Sequence, residues 1–336
     1  MRQEKFYGLY WLRAIFSIAV VIWHLNGFND SLIFNPDQIN WHLFSYVDFI
    51  NFHVLLLAVP TFIFISLFLF SNKEHTFYQL KNRIFKLFGL YIIWIFFYYV
   101  WKHGFEGINL LVPKSFFHFI NLFFKGAYTI YYFFIVLIIN LIVVFVFQKI
   151  SNLILYLAFL FSILLLFSFP YLAIQFNISE LSSYWNPFNF LPYCFAALIV
   201  VREFKFVLKN LNYLIIIFLA ITIVLAFFEW KNLVNVFFFK SESYSFPAYS
   251  RLSLLFETLV LFLFSLKIKS LNNKIIEFLS KYSLALYLIQ SFYFEISKSI
   301  CVSLFQLSNN NLIIWFSIII TILLSYLQHL CYKNTF

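Results

Sequence analysis

The chain has 336 residues, of which 63% are hydrophobic and only 11% are charged, and its formal net charge is +10. So few polar side chains could not cover the surface of a soluble protein of this size, which excludes soluble enzymes and indicates a membrane protein. The aromatic residues, 24% of the chain and mostly Phe, are typical of lipid-facing and interfacial positions. The three cysteines have no spacing typical of a disulfide framework or a metal site, so no metal is expected.

Apolar runs that could cross roughly 30 Å of hydrocarbon recur along the whole chain. They are 8–27, 52–71, 86–102, 130–148, 152–170, 186–201, 212–229, 250–266, 278–297 and 311–331. The region 103–129 is amphipathic and aromatic, and we expect it to lie along the membrane interface. The first run lacks a signal-peptide cleavage site, so we expect that it is not cleaved and remains as the first span. The sequence therefore predicts an all-α, polytopic integral membrane protein of about ten transmembrane helices, with 1–336 as a single domain.

The distribution of Lys and Arg indicates how the spans are oriented. With the N-terminus inside, most of the 23 basic residues fall on segments that face the cytoplasm. The first outer segment, 28–51, contains Asp30, Asp37 and Asp48 and no basic residue. This bias predicts that both termini are cytoplasmic, and it accounts for the net charge without a nucleic-acid partner.

The first apolar run carries Arg13 near its cytoplasmic end and His24 near its outer end. At about 100° per residue, the spacing of the two amounts to three turns plus roughly 20°, so both lie on one face of a helix. They are about 16 Å apart along the axis and cannot pair with each other. Ionisable groups inside a membrane are functional candidates, although each residue could also be an ordinary side chain that reaches one interface.

The opening of the chain is similar to a known family. The stretch GLYWLRAIFSIAVVIWHL resembles the first helix of the acyltransferase-3 family of multi-pass bacterial membrane acyltransferases, in which an Arg or Lys is followed by ten residues and a His. Arg13 and His24 match that spacing. The stretch VPTFIFISLFLF resembles the family's second helix, with Pro60 and Ser66 in place and Leu67 where Gly is usual.

Later segments extend this resemblance over nearly the whole chain. The stretch LKNRIFKLFGLY resembles the basic segment that opens the third helix, with Arg83 and Lys86 as its cations. The stretches YYFFIVLIINLI and NFLPYCFAALIVVR resemble the fourth and sixth helices. Near the end, LSKYSLALYLIQ resembles a Ser-x-x-x-Tyr-Leu-x-His run, with Ser283 and Tyr287 in place and Gln290 where His is common.

The resemblance implies transfer of an acyl group, usually acetyl, from cytoplasmic acyl-CoA to a hydroxyl of a carbohydrate. We therefore expect an O-acetyltransferase that uses acetyl-CoA as its donor substrate. His24 would be the general base that takes the hydroxyl proton, with a covalent acyl-imidazole as a variant. Arg13, Arg83 and Lys86 would hold the anionic CoA, although Arg83 and Lys86 could equally bind lipid headgroups.

Glu257 is a further catalytic candidate because it lies in the middle of a predicted span. Arg251 is two turns away and is expected to be too far for an ion pair along one helix, so Glu257 needs a partner elsewhere. It could orient His24 or neutralise Arg13. A protonated carboxyl that hydrogen-bonds between helices is an equally good interpretation.

Four polar residues are candidates for substrate binding: Asp30, Ser66, Ser283 and Tyr287. The two serines and the tyrosine could donate to the thioester oxygen or to the acceptor, although such residues more often bridge helices. Asp30 lies with Asp37 and Asp48 in an aromatic outer segment that suits a sugar. A solvated acidic loop is the simpler interpretation for at least two of these three aspartates.

Two other functions stay open. A carrier or flippase of a lipid-linked sugar would need more charges and more broken helices than the sequence shows. An acyltransferase acting on peptidoglycan or lipid A differs only in its acceptor. The expected location is the bacterial inner membrane, and the expected partners are acyl-CoA, membrane lipid and a carbohydrate acceptor whose outer entrance His42 and His53 could line.

Overall fold

The structure is a computed structural model that describes residues 6–24, 46–73, 75–127, 130–239, 248–270, 273–303 and 310–335. Within these ranges every regular element is a helix, which confirms the predicted all-α class. The α-helices are α1 (Tyr7–His24), α2 (Tyr46–Phe49), α3 (Ala58–Ser71), α4 (Phe77–His103), α5 (Phe116–Phe124), α6 (Tyr132–Phe147), α7 (Asn152–Gln175), α8 (Leu191–Arg202), α9 (Phe204–Lys209), α10 (Leu211–Phe239), α11 (Leu252–Leu266), α12 (Lys274–Ser303) and α13 (Asn310–Thr335). A π-helical segment, Ile50–Leu55, lies between α2 and α3, and 3-10 helices occur at Phe105–Leu111, Ser179–Leu181 and Pro187–Phe190.

Several of these helices are long and apolar enough to cross a membrane. In the described part of the chain, five candidate spans meet this description: Tyr7–His24, Tyr46–Ser71, Phe77–His103, Asn152–Gln175 and Leu211–Lys231. Shorter apolar helices are Tyr132–Phe147, Pro187–Arg202, Leu252–Leu266 and Leu312–Leu324. The chain is therefore a multi-pass membrane protein. Each of the predicted spans overlaps a helix, while the number of crossings and the cytoplasmic location of the termini stay predictions.

The predicted interfacial region folds back against α4. Tyr91 of α4 donates its hydroxyl proton to the carbonyl of Phe123 at 2.8 Å, and Tyr99 donates to the carbonyl of Ala127 at 2.6 Å. Phe116, at the start of α5, is 72% exposed. An aromatic helix held in this way suits a membrane interface, and that location stays a prediction.

The chain divides into two compact units. Unit 1 comprises Met1–Ala58 and Ser265–Phe336, and unit 2 comprises Val59–Phe264. The prediction of a single domain is neither confirmed nor contradicted by this division, because a family domain can contain more than one compact unit.

Unit 1 is built around α1, α12 and α13. Ala14 of α1 packs against Leu279 and Leu286 of α12. One turn before the C-terminal end of α1, Val21 packs against Ile314 and Ile318, in the first half of α13. The second half of α1 therefore meets the first half of α13.

The backbones of unit 1 also approach closely at the start of α1. A Cβ atom added to Gly8 would meet the backbone carbonyl of Ser265 at the end of α11. Only glycine leaves room for this contact, in the way that small residues let membrane helices approach each other. The contact joins the predicted cytoplasmic end of the first span to the predicted cytoplasmic end of the eighth.

Unit 2 has an aromatic core in which α3 meets α11. The ring of Phe262 lies 5.0 Å from that of Phe64 and 4.7 Å from that of Phe68, in both cases edge to face. Cys194 is buried in the same unit and Cys301 in unit 1, and both are free thiols. These two cysteines are small core residues.

Candidate active site

Arg13 reaches across from α1 to α12. Its Nη2 atom donates a hydrogen bond of 3.3 Å to the hydroxyl oxygen of Ser283, which is 2% exposed and donates in turn to the carbonyl of Ser280 at 3.0 Å. Among the residues that the structure describes, the Arg13 guanidinium has no carboxylate partner. Its positive charge is therefore not neutralised within the described part of unit 1. The structure thus brings two predicted site residues together.

His24 is the last residue of α1 and is partly buried. Its side chain interacts with the backbone of Val20, one turn earlier, and with the side chain of Gln290 on α12. Gln290 is fully buried, and its amide nitrogen donates to the carbonyl of Tyr287 at 3.2 Å. The amide oxygen of Gln290 is buried and has no hydrogen-bond partner among the described residues.

Arg13 and His24 therefore face one helix, as their shared face on α1 predicts. On α12 their partners are Ser283 and Gln290, seven residues apart, which is two turns and about 20° short of alignment. As α1 runs from Arg13 to His24, α12 runs from Ser283 to Gln290, so the two helices are parallel. This is the relation expected of the first and ninth spans in an alternating bundle.

The polar face of α12 continues for two more turns. Ser297, seven residues after Gln290, is fully buried and shares a hydrogen bond of 2.9 Å with Thr321 of α13. Tyr287, a predicted substrate contact, is 7% exposed and lies between Ser283 and Gln290 along the helix. Buried polar side chains thus recur along α12 beside α1 and α13. Burying polar groups costs free energy, so an apolar contact between these helices would be less costly.

A second polar group lies at the start of the second candidate span. Asp48, Asn51 and His53 are 1%, 3% and 3% exposed, and the last two belong to the π-helical segment. This segment packs on α1, where the ring of Phe52 meets that of Trp23 edge to face at 6.0 Å. Asp48 is therefore not part of a solvated loop, and His53 is not at the surface. The helix begins at Tyr46, earlier than the apolar run indicates. The solvated loop expected for at least two of the three aspartates stays a prediction, because Asp30 and Asp37 lie outside the described residues.

Ser66, another predicted substrate contact, belongs to unit 2. Ser66 is half-buried in α3. Asp30 lies outside the described residues, as do Asp37 and His42. Roles for all of these in substrate binding stay predictions.

The predicted CoA contacts Arg83 and Lys86 also belong to unit 2, in α4. The Arg83 guanidinium lies 5.2 Å from the centre of the Phe70 ring, on which the His75 ring stacks at 3.9 Å with an angle of 5° between the planes. Lys86 is exposed, one turn further along α4. A cation on an aromatic ring keeps its donors available for an anion such as a phosphate. The predicted grouping of these residues with Arg13 is not tested.

Glu257 interacts electrostatically with Arg251, a charged residue of the same unit. Arg251 is fully buried and interacts electrostatically with Glu257 and with Glu229. Arg251 precedes the first residue of α11, so the spacing rule for residues on one helix does not limit its reach. The expectation that Arg251 is too far from Glu257 for a direct ion pair along one helix is not tested by this electrostatic interaction and stays a prediction. A catalytic role of Glu257 is not tested by this contact.

Glu229 is a buried carboxylate that sequence reasoning missed. Its side chain is 5% exposed and accepts hydrogen bonds from the backbone nitrogen of Ser253 at 2.9 Å and from the Ser253 hydroxyl at 2.5 Å. The signal was present, because Glu229 is the last residue of a predicted span. It was overlooked since a charge at a span end is usually solvated.

Two comparisons returned no match, and one gave a match over most of the sequence. A family model described as "Acyltransferase domain" matches residues 6–329. No curated protein and no solved structure matches the chain. The matched range contains every described element except the last turns of α13.

Proposed function

Because the chain belongs to the acyltransferase family whose domain model covers residues 6–329, we propose that this membrane acyltransferase O-acetylates a carbohydrate. The donor is cytoplasmic acetyl-CoA. The acceptor is a hydroxyl of a cell-surface polysaccharide or of its lipid-linked precursor, and the enzyme acts in the bacterial inner membrane. The observation that carries the proposal is the pair Arg13 and His24, which lie on one face of α1 and both contact α12.

In the proposed reaction the acceptor hydroxyl oxygen attacks the carbonyl carbon of the thioester. An oxygen–carbon bond forms, the carbon–sulfur bond breaks, and CoA leaves as the thiol. His24 takes the hydroxyl proton during the attack and passes it to the leaving sulfur, as a general base that turns into a general acid. A neutral imidazole suits this role near neutral pH.

Arg13 is proposed to bind the anionic donor. A guanidinium whose partner is a neutral hydroxyl retains donors for an anion, and charge-assisted hydrogen bonds of this kind are about twice as strong as neutral ones. Arg83 and Lys86 are proposed as further contacts of CoA. Ser283 and Tyr287 are the proposed contacts for the thioester or the acceptor, since both lie on α12 beside Arg13 and His24.

The acceptor side of the proposal is supported by the buried group of Asp48, Asn51 and His53. A carboxylate and an amide next to aromatic rings are the groups with which proteins bind the hydroxyls and the apolar face of a sugar. This group packs on α1, the helix whose outer end carries His24. It therefore adds candidates to Asp30 and Ser66, and it fits an acceptor that enters from the outer face.

The first test is acetyl transfer by purified protein in lipid, with labelled acetyl-CoA and the glycan of the host surface. Wild type should label the glycan, and His24→Ala should not, although it is present at the same level and unfolds at the same temperature. A folded wild type that binds glycolipid and transfers no label would contradict the proposal and support a flippase. Label on peptidoglycan or lipid A instead would keep the enzyme and change its acceptor.

A further inference from the structure

The imidazole of His75 is held in one orientation beside the ring of Phe70. The two rings are nearly parallel, with their centres 3.9 Å apart and 5° between their planes. The Nε2 atom of the imidazole also lies 2.8 Å from the carbonyl oxygen of Phe70, and since that oxygen only accepts, Nε2 carries the proton. One stacking contact and one hydrogen bond therefore fix both the plane and the rotation of the imidazole.

The backbone on both sides of His75 is anchored as well. On one side, the amide nitrogen of Gln148 donates to the carbonyl of Lys73 at 2.8 Å. On the other, the Thr76 hydroxyl accepts from the backbone nitrogen of Gln79 at 3.3 Å, and the Thr76 backbone nitrogen donates to the Gln79 side chain at 3.0 Å. A side chain that is held in advance loses little conformational freedom when it contacts a ligand, so His75 is suited to be part of a binding surface.

The ring of Phe70 supports a second group, the guanidinium of Arg83. The guanidinium lies 5.2 Å from the centre of the ring. Arg83 is half-buried, and it has no hydrogen bond or ion pair within the described part of the chain. Phe70 itself is 1% exposed. One buried aromatic residue of unit 2 therefore carries both a half-buried imidazole and a cation whose donors are unused.

A planar base linked to a phosphate is the ligand that fits these two groups. Aromatic side chains, histidine included, stack on such bases, and a guanidinium binds phosphate through paired charge-assisted hydrogen bonds. The donor in the proposed reaction contains both parts, since CoA ends in an adenine nucleotide. A lipid headgroup offers a phosphate without a planar base and would use Arg83 alone. His75 also lies between the second and third predicted spans, in a segment that the distribution of basic residues predicts to be cytoplasmic.

We infer that His75 is the stacking surface for the adenine ring of the acyl-CoA donor and that Arg83 binds a phosphate of the same nucleotide. The inference rests on the proposed function, in which CoA is the donor. The thioester is at the opposite end of CoA from the adenine. His75 therefore contributes to the affinity for the donor and takes no part in the chemical step, so its loss should change KM and leave kcat.

Two substitutions of His75 separate base stacking from the hydrogen bond to Phe70. His75→Phe keeps an aromatic ring and loses the N–H donor. His75→Gln keeps an N–H donor and loses the ring. If His75 only anchored its loop, His75→Gln would preserve donor binding better than His75→Phe. The inference requires the opposite order.

The experiment measures kcat and KM of the purified chain in lipid with two donors, acetyl-CoA and S-acetylpantetheine, which has the thioester and lacks the nucleotide. His75→Gln should raise KM for acetyl-CoA about tenfold, as expected for the loss of one stacked base, and leave kcat within about twofold. His75→Phe should keep KM for acetyl-CoA within about threefold of wild type. Neither variant should change KM for S-acetylpantetheine.

His103→Gln is the matched control. His103 lies at the other end of α4 and also contacts an aromatic ring, that of Tyr99, at 5.8 Å between the ring centres. The control should change KM for neither donor. Equal KM values for acetyl-CoA in His75→Phe and His75→Gln, or a parallel rise in KM for S-acetylpantetheine, would overturn the inference.

Binding of a nucleotide without acetyl transfer separates this inference from the proposed function. Adenosine diphosphate, which contains the adenine and the pyrophosphate of CoA, is titrated into the purified chain in a calorimeter. Wild type and His75→Phe should bind it, while His75→Gln and Arg83→Ala should bind it about tenfold more weakly. Weaker binding in Arg83→Ala alone would indicate a site for phosphate only, such as that of a lipid headgroup, and would overturn the inference. The expected binding pattern in a wild type that transfers no acetyl would contradict the proposed function alone.

Discussion

Arg13 and Ser283 are 270 positions apart in the chain and are joined by a hydrogen bond of 3.3 Å between the guanidinium and the hydroxyl. The bond connects the second turn of α1 to the third turn of α12. It satisfies one donor of Arg13 and leaves its charge without a carboxylate among the described residues. A cation in this state is suited to an anionic ligand, since a buried charge is costly until it is paired.

Arg13→Ala should raise KM for acetyl-CoA by roughly 10- to 100-fold, because a hydrogen bond to a charged group is worth about 1.5–3 kcal/mol. Arg13→Lys should retain part of the affinity, since a lysine keeps the charge and loses the planar donor pair. Ser17→Ala is the control and should change this KM little, because Ser17 is a buried residue of the same helix whose hydroxyl donates to the carbonyl of Ala14. Titration of the purified protein with acetyl-CoA measures the effect. A fall in protein level with unchanged KM would mean that Arg13 is structural.

Arg83→Ala and Lys86→Ala should each raise KM for acetyl-CoA, and the loss should be larger at low salt because charge attraction is screened as salt rises. Lys81→Ala is the control, since Lys81 is exposed on the same helix and lies over the ring of Phe85. KM values at two salt concentrations test this. If all three variants behave alike, Arg83 and Lys86 bind lipid headgroups rather than the donor.

Asp48→Asn should raise KM for the glycan acceptor roughly tenfold or more and leave KM for acetyl-CoA unchanged. The reason is that a carboxylate accepts from sugar hydroxyls more strongly than a neutral amide does. Glu106→Gln is the control because Glu106 is exposed. Acetyl transfer over a range of glycan concentrations distinguishes the two variants. An unchanged acceptor KM, together with a lower unfolding temperature, would assign Asp48 to the packing of the π-helical segment on α1.

Glu229→Gln should destabilise the protein by about 3 kcal/mol, because it removes one charge partner of the buried Arg251. The glutamine can still accept from the backbone of Ser253, so the loss reports mainly on the charge. Glu203→Gln is the control, since Glu203 is a less buried carboxylate that accepts from the hydroxyl of Tyr156 at 3.1 Å. Thermal unfolding in detergent measures both. An equal unfolding temperature for Glu229→Gln and wild type would show that Glu257 alone compensates Arg251.

Composition and helical periodicity were sufficient to predict the all-α membrane class of the protein. They were also sufficient to predict that Arg13 and His24 share one face of its first helix. Hydrocarbon admits helices because they satisfy their own backbone hydrogen bonds, so apolar runs predict all-α spans without any tertiary knowledge. The 100° step of the helix placed Arg13 and His24 on one side. The resemblance to the family, carried by the same residues, is confirmed over 6–329.

The partners of those residues were decided by the tertiary structure. Ser283 was a candidate because it is a polar residue in a run that resembles the family. No local pattern indicated that it meets Arg13 or that Gln290 meets His24. The burial of Asp48 was also out of reach, because the apolar run that defines the second span starts after it. Helical periodicity depends on residues that are a few positions apart, so it can be predicted from the local sequence. Which helix a face meets depends on packing between segments hundreds of residues apart, which only the folded chain specifies.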